Sequence, residues 1–361
     1  MVVAAADLAD GRTADAIARL QALAADSRLT DVQRGLAQGL LADVLDAEGR
    51  IPEAYEAYAA GNMTLWRAYA PAFADQPAAL DFARDVLDAL DFGGPETWPV
   101  SPAGAPPGVK RHVFLLGFPR SGTTLLEQVL GSHPEVETLE ERDTLSAAIR
   151  AFMSRAGDVA NLASAPEAEL AELRAAYWER VRAEGARPDG KVFVDKHPLN
   201  TFRLPLIARL FPDAVVLMAR RDPRDVVLSA WRRRFAMSSS AYQLLTLPGT
   251  AGYYDAAMRM ADRFAGVLGE RLHVVRHEAM IEDFDAEVGA VCEVLGIPFT
   301  ADLRAFADRV RERGIATPSA AQLAGGLSGE GLGAWRRYRD QLAPVLPTLA
   351  PWVERFGYEA E

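Results

Sequence analysis

The sequence has one cysteine and three lysines among its 361 residues, and it has no long apolar run. The single cysteine, Cys292, excludes an internal disulfide, and its apolar helical surroundings favour a core position over a nucleophilic role. The lack of disulfides suits a reducing compartment. The first residues, MVVAAADLADGR, lack the basic segment of a signal peptide, and no apolar stretch reaches the length of a membrane span. We therefore expect a cytoplasmic protein without a membrane span.

Basic residues are outnumbered by acidic ones, 39 against 50, and the net charge of −11 argues against general nucleic-acid binding. Lysine occurs only at positions 110, 191 and 196, so every other side chain with a permanent positive charge is arginine. A compositional bias explains most of the arginine, but it makes a lysine beside a motif conspicuous. The chain is long enough to form two domains, each with a buried core.

Residues 1–92 read as a helical region that contains two similar segments, LADGRTADAIARLQALA and LDAEGRIPEAYEAYAAGN. Gly11 and Gly49 lie 38 residues apart, near the period of tetratricopeptide repeats. Alanine-rich helices of a plain bundle produce the same pattern, so both interpretations stay open. The segment 93–110 is rich in glycine and proline and predicts a linker. It separates the helical region from a second domain, residues 111–361.

The second domain alternates strand-like and helix-like segments. VFLLG, KVFVD, AVVLMA and LHVVR are short apolar runs, which are typical of buried parallel strands. Helical stretches lie between them, and that order predicts a three-layer α/β domain of the P-loop-like class. Ligands of such domains bind at the carboxyl ends of the strands.

The stretch GFPRSGTT, residues 117–124, follows the first of these strands and precedes a helix. Its spacing resembles a phosphate-binding loop, but it lacks the lysine of a nucleotide triphosphatase. Helix amino ends attract anions, and Arg120 with the hydroxyls of Ser121, Thr123 and Thr124 adds donors. Gly122 permits close approach of the backbone to a ligand. A glycine turn with a helix cap is the simpler alternative, but the strand–loop–helix context favours an anion site.

Three other stretches place charged groups at strand ends. AVVLMARRDPRDVVLSAW puts Arg221 at the end of a strand and Ser229 on the next helix, a pair able to hold a second phosphate. KVFVDKHPLN puts Lys196 and His197 after another strand, where a lysine can stabilise a leaving group. EVETLEERDTL places Glu141 where a carboxylate near a bound anion suggests a general base. Read alone, the Arg221 stretch favours an ion-paired arginine and the Glu141 stretch a solvated surface, whereas Lys196 and His197 fit a surface and a functional role equally.

The sequence resembles the sulfotransferases that use 3′-phosphoadenosine 5′-phosphosulfate. The stretches that carry this resemblance, in chain order, are FLLGFPRSGTTLLEQVLGSHPEV, VDKHPLN, FPDAVVLMARRDPRDVVLSAW and GEGLGAWRRY. The resemblance covers residues 111 to about 358. It is greatest to bacterial enzymes with tetratricopeptide repeats and to tyrosylprotein sulfotransferases. It implies a sulfuryl transfer from that nucleotide, which leaves adenosine 3′,5′-bisphosphate, to an acceptor hydroxyl without a metal ion.

The resemblance also implies roles for individual residues. Glu141 matches the catalytic glutamate of the tyrosylprotein enzymes, Lys196 matches a lysine near the transferring group, and His197 is a second candidate base. The 5′-phosphosulfate would be held by Arg120, Ser121, Gly122, Thr123 and Thr124. The 3′-phosphate would be held by Arg221 and Ser229, with Gly331, Gly333 and Trp335 in a late covering loop, and Ser319 would reach the donor.

The sequence departs from the family pattern at His277, where tyrosine is usual, and at Ala334, where a basic residue is frequent. These departures leave a non-catalytic scaffold open as an alternative, and the fold leaves a P-loop kinase-like enzyme open. The acceptor is a peptide tyrosine, a sugar or a lipid head group. The amino-terminal helices recruit it, pack on the catalytic domain or form a homodimer. WRRRF, residues 231–235, reads as a contact for an acidic peptide or as an exposed helix end.

Overall fold

The computed structural model describes residues 2–91, 94–99, 101, 108–313, 326–329 and 331–359. The chain forms two compact units, each built from separate segments. One comprises Met1–Asp81, Pro223–Asp255 and Gly333–Glu361, and the other comprises Phe82–Asp222 and Ala256–Leu332. The domain boundaries that composition predicts, at residues 92 and 111, stay a prediction.

Strands and helices alternate between residues 111 and 282, within the predicted second domain. The strands are β1 (Arg111–Leu116), β2 (Val136–Glu140), β3 (Val192–Lys196), β4 (Val215–Arg220) and β5 (Leu272–Arg276). The α-helices are α1 (Val2–Ala9), α2 (Thr13–Ala25), α3 (Asp31–Ala47), α4 (Ile51–Phe73), α5 (Ala79–Asp91), α6 (Thr123–Leu130), α7 (Ser146–Phe152), α8 (Glu167–Ala183), α9 (Leu204–Leu210), α10 (Pro223–Trp231), α11 (Ser239–Gln243), α12 (Leu247–Leu268), α13 (His277–Glu282), α14 (Phe284–Leu295), α15 (Phe306–Arg313), α16 (Arg339–Leu342) and α17 (Leu346–Arg355).

The second unit contains a five-stranded parallel sheet in the order β2-β3-β1-β4-β5. One face carries aliphatic side chains, including Val113, Val194 and Leu217, that pack with residues of α6 and α14, among them Cys292. The opposite face carries an aromatic cluster of His112, Phe114, Phe193, Tyr177, Trp178 and Phe211. Because both faces are covered, the strands read as continuous apolar runs. The predicted three-layer α/β fold and the core position of Cys292 are confirmed.

The first unit begins with α1–α4, which confirms that the amino-terminal region is helical. Helices α3 and α4 pack closely because glycine meets glycine where they cross. A Cβ added to Gly35 would lie 3.0 Å from the carbonyl oxygen of Gly61, and the reverse distance is also 3.0 Å. Gly11 and Gly49 both adopt left-handed conformations, with φ of 73° and 74°. This equivalence supports the repeat interpretation, which stays a prediction.

The arginines of WRRRF take part in an ion-pair network inside the first unit. Arg232 contacts Asp46 of α3, and Arg234 contacts Asp43 of the same helix. The Arg232 guanidinium also lies 4.9 Å from the centre of the Tyr58 ring. These two arginines are therefore neither an exposed helix end nor a free contact for an acidic peptide. Long-range partners in α3 were not visible in the local sequence.

Candidate active site

The glycine loop, residues 117–122, connects β1 to α6 and is fixed to its neighbours by close packing. A Cβ on Gly117 would lie 2.4 Å from Ser121 Oγ and 2.9 Å from the Ala219 carbonyl oxygen, so only glycine fits there. The buried Thr201 hydroxyl donates to the Gly117 carbonyl at 2.6 Å, and the Gly117 N–H donates to Thr201 Oγ1 at 3.2 Å. The loop is therefore a preformed cradle.

The end of the glycine loop has an unusual backbone. Gly122 has φ of 102°, and Thr123 begins α6 directly after it. Arg120 has φ of 76°, and Glu141 has φ of 48°; no other non-glycine residue of the described chain has a positive φ. Such a conformation costs about 1–3 kcal/mol, and it persists where surrounding contacts hold it, often at functional sites. Both residues were already site candidates from the sequence.

Lys196 lies at the carboxyl end of β3 and is fully buried among three carboxylates. Its Nζ donates to Glu141 Oε1 at 2.8 Å and to Glu140 Oε1 at 2.9 Å, and it lies 3.6 Å from Glu127 Oε2. The pairing of Glu140 with Lys196 follows from the parallel register of β2 and β3. Burial lowers the pKa of Lys196, but the three carboxylates outweigh it and hold this pKa above its ordinary value.

Glu127 was not among the residues that the sequence singled out. It lies on α6, four residues after Thr123, and its side chain is almost fully buried. Burial raises the pKa of Glu127 to about 6, although the nearby Lys196 charge opposes this rise. Its Oε2 has no hydrogen-bond partner among the described residues. Helix α6 therefore connects the glycine loop at its amino end to the buried Glu127 carboxylate.

Glu141 follows β2, and its backbone N–H donates to the Lys196 carbonyl at 2.7 Å. Its side chain remains 46% exposed, so one carboxylate combines an ion pair to a buried lysine with access to solvent. His197 directly follows Lys196, the last residue of β3. Burial lowers the pKa of His197, while the charges of Glu141 and Asp143 act in the opposite direction. The two candidate bases therefore follow neighbouring strands, β2 and β3, at the same edge of the sheet as Lys196.

Asp195 points to the opposite face of the sheet and anchors the segment that follows Glu141. It accepts hydrogen bonds from Thr144 at 2.7 Å and from Tyr177 at 2.9 Å, and Tyr177 also pairs with His112 at 2.8 Å. Burial raises the pKa of Asp195 to about 6, against the effect of the two hydroxyl donors. The network ties the Glu141 segment to β3.

The end of β4 brings a second cationic group to the same edge of the sheet. Arg221 is buried and its guanidinium donates to the carbonyl of Gly331 in the late glycine segment. The imidazole of His277 lies against Gly122: a Cβ there would be 2.8 Å from Nδ1. Burial, with Arg221 and Arg120 nearby, lowers the pKa of His277 to about 3.

The first unit holds the remaining late-segment residues. Asp225 of α10 accepts hydrogen bonds from the Gly333 N–H at 2.7 Å and the Trp335 N–H at 2.9 Å. The Arg224 guanidinium lies 3.8 Å from the centre of the buried Trp335 ring. Ser229 is half-buried on α10. The candidate Ser319 lies outside the described residues.

No group of three or more His, Cys, Asp or Glu side chains among the described residues is arranged to hold a metal ion. No helix in the described ranges is long and apolar enough to cross a membrane.

Comparisons with known proteins cover the same region as the site. The chain is 28% identical to an uncharacterised protein of Aquifex aeolicus over 66% of its length and 32% of the relative. It is 29% identical to protein-tyrosine sulfotransferase 1 of Mus musculus over 35% of each chain. The chain thus spans about a third of these relatives.

A sulfotransferase domain from the Synechococcus PCC 7002 olefin synthase aligns with 66% of the chain and 90% of that domain, at 19% identity and a TM-score of 0.46. The model of the sulfotransferase family matches residues 112–301, more than half of the chain. The match contains the glycine loop, the Lys196 cluster and Arg221. The chain therefore belongs to the sulfotransferase family, a family of enzymes.

Proposed function

We propose that the chain transfers a sulfuryl group from 3′-phosphoadenosine 5′-phosphosulfate to an acceptor hydroxyl. The observation that carries this proposal is the glycine loop beside the ion pair of Glu141 and Lys196. His197, which follows Lys196, donates its backbone N–H to the Leu115 carbonyl of β1 at 3.2 Å. An anion cradle and a carboxylate–lysine pair thus share one edge of the sheet.

The residues of the loop fit an anionic phosphosulfate. The amino end of α6 presents backbone N–H groups, and Arg120 supplies a full charge. At both Gly117 and Gly122 an added Cβ would lie within 3.0 Å of protein atoms, so only glycine lets the loop backbone pack this closely on its neighbours. We assign the 5′-phosphosulfate to Arg120, Ser121, Gly122, Thr123 and Thr124. Arginine, lysine and backbone N–H groups provide the positive field, so the proposal needs no metal ion.

In the proposed reaction Glu141 removes the proton of the acceptor hydroxyl. The acceptor oxygen forms a bond to sulfur while the bond from sulfur to the bridging phosphate oxygen breaks. The electron pair of that bond stays on the departing adenosine 3′,5′-bisphosphate, and Arg120 and Lys196 stabilise its charge. Lys196 has three N–H donors, and two of them bind Glu140 and Glu141.

The 3′-phosphate is assigned to Arg221, whose contact with Gly331 supports a covering role for the late segment. Ser229, Gly333 and Trp335 are proposed for the same phosphate from the family resemblance. Asp225 accepts hydrogen bonds from the backbone N–H groups of Gly333 and Trp335, and this supports a fixed shape for the late segment. The contact of Ser319 with the donor stays a prediction.

The acceptor belongs to one of three classes: a peptide tyrosine, a sugar or a lipid head group. The name of the mouse relative makes a tyrosine peptide the first acceptor to test. We further propose that the amino-terminal helices recruit a peptide or form a homodimer. A cytoplasmic location stays a prediction, supported by the single cysteine.

The proposal is tested by replacing Glu141, with Glu140 as the matched control because both carboxylates bind Lys196. With a tyrosine peptide as acceptor, Glu141→Ala should lower kcat by roughly 10²–10⁴-fold, as expected for loss of a general base. The affinity of Glu141→Ala for adenosine 3′,5′-bisphosphate should equal that of the unmodified protein. Glu140→Ala should retain most of the kcat of the unmodified protein. Normal turnover by Glu141→Ala would reject its role, and loss in His197→Ala alone would assign the base to His197.

A further inference from the structure

His277 occupies the side of the glycine loop, and its position cannot be read from the sequence. It is the first residue of α13, directly after β5. A Cβ at Gly122 would lie 2.8 Å from its Nδ1 and 3.2 Å from its Cγ, so the ring is packed on the loop. Its Nδ1 is buried and has no hydrogen-bond partner among the described residues. A buried nitrogen without a hydrogen-bond partner lowers the stability of the folded protein unless a ligand forms a hydrogen bond with it.

The charges around His277 are dominated by two arginines. Arg120 belongs to the glycine loop and Arg221 follows β4, and both disfavour a positive charge on the imidazole. Glu278, its neighbour on α13, is engaged by the Asp222 N–H at 2.9 Å. Burial and the two cations together lower the pKa of His277 to about 3, so the ring is neutral near pH 7.

We infer that His277 takes up a proton when the anionic donor or its bisphosphate product binds, and becomes a third cation of the phosphate site. The inference rests on the proposed function, because it needs an anion at the glycine loop. A bound phosphate offsets the charges of Arg120 and Arg221, and an anion within about 4–6 Å favours the protonated imidazole. The proton passes from a solvent or buffer acid to the free ring nitrogen and forms an N–H bond there; no bond between heavy atoms changes.

The expected effect follows from linkage. If anion binding restores the pKa of His277 from about 3 to its ordinary value near 6.5, the complex holds about three quarters of a proton more at pH 6. Because the bound form has the higher pKa, binding is strengthened at low pH and this gain disappears as pH rises through about 6.5. The same values predict a gain of about tenfold at pH 5.5 and almost none at pH 7.5.

The test is calorimetric titration with adenosine 3′,5′-bisphosphate at pH 6 in two buffers that differ in ionisation enthalpy. The difference between the apparent enthalpies gives the number of protons taken up. His277→Gln should take up about three quarters of a proton less than the unmodified protein, because the phosphates of the ligand contribute equally to both. His273→Gln, a half-buried histidine on β5, is the matched control and should behave as the unmodified protein.

His277→Tyr, which restores the residue usual in the family, provides a second variant if the glutamine variant is unstable. Binding with the same proton number in the unmodified protein and in either variant would overturn the inference and leave the phosphate site intact. Absence of bisphosphate binding by the unmodified protein would overturn the proposed function and this inference with it.

Discussion

Replacing Lys196 by methionine should destabilise the fold strongly, because it leaves buried carboxylates without their cation. Lys196 is fully buried, and Glu127, one of its three partners, is only 3% exposed. Removal of one partner of a buried ion pair costs about 3–5 kcal/mol. The matched control is Lys191→Met, at the residue directly before β3. Lys191 pairs with Glu137 at 3.3 Å with both side chains partly exposed, and such a pair contributes at most about 1 kcal/mol.

The loss should depend on pH in a defined direction. The pKa of Glu127 is raised from 4.5 to about 6, so its ionised form already destabilises the folded state as pH rises through that range. Without the Lys196 charge this pKa rises further. The difference in unfolding free energy between the variant and the unmodified protein should therefore be larger at pH 8 than at pH 5.5, where Glu127 takes up a proton.

The assay is urea denaturation of both variants at these two pH values, with circular dichroism as the signal. Addition of Glu127→Gln to Lys196→Met should recover part of the lost stability at pH 8, because the buried charge is gone. Equal losses in Lys196→Met and Lys191→Met, or a loss of Lys196→Met that is the same at both pH values, would refute the reasoning.

Two further predictions concern the backbone around the site. Gly122→Ala should abolish bisphosphate binding, because its φ of 102° strains an alanine and the added Cβ would lie 2.8 Å from His277 Nδ1. The control is Gly185→Ala, where φ is 91° and the space around the added Cβ is open. It should cost only about 1 kcal/mol of stability and leave bisphosphate binding unchanged. Equal affinity in both variants, measured by calorimetry, would contradict this. Thr144→Val removes a donor from the buried Asp195, so kcat should fall while bisphosphate affinity is kept; an unchanged kcat would show that this hydrogen bond does not position the base.

The sequence predicts the sheet well where strands are continuous apolar runs, and less well elsewhere. Four such runs correspond to β1, β3, β4 and β5. The edge strand β2, VETLE, was not predicted as a strand, because it alternates apolar and charged residues and is only partly buried. It nevertheless carries Glu140 into register with Lys196.

The positions of the motif residues were predictable because they depend on local spacing along the chain. Arg120 and Lys196 follow the predicted runs of β1 and β3, and Lys196 is in direct contact with Glu141, which follows the unpredicted strand β2. The role of Glu127 was hidden because its charge and position on α6 suggest a solvated helix face. Only the packing of α6 on the sheet shows that this carboxylate faces Lys196.

Contacts between distant segments were beyond a reading of local patterns. Asp46 accepts a hydrogen bond from Tyr338 at 2.7 Å and pairs with Arg232, so α3, the end of α10 and the late segment meet within the first unit. Nothing in the sequence around any of the three indicates the other two. The amino-terminal helices are thus built into a unit with two segments from the second half of the chain.

The central claim, that the glycine loop binds a phosphosulfate nucleotide, is tested most directly by calorimetric titration of the full chain with adenosine 3′,5′-bisphosphate, with ATP in parallel. We expect the bisphosphate to bind much more tightly than ATP, and Arg120→Ala to weaken it. Absence of bisphosphate binding would contradict the claim and favour a scaffold, and tighter binding of ATP would favour a kinase-like enzyme.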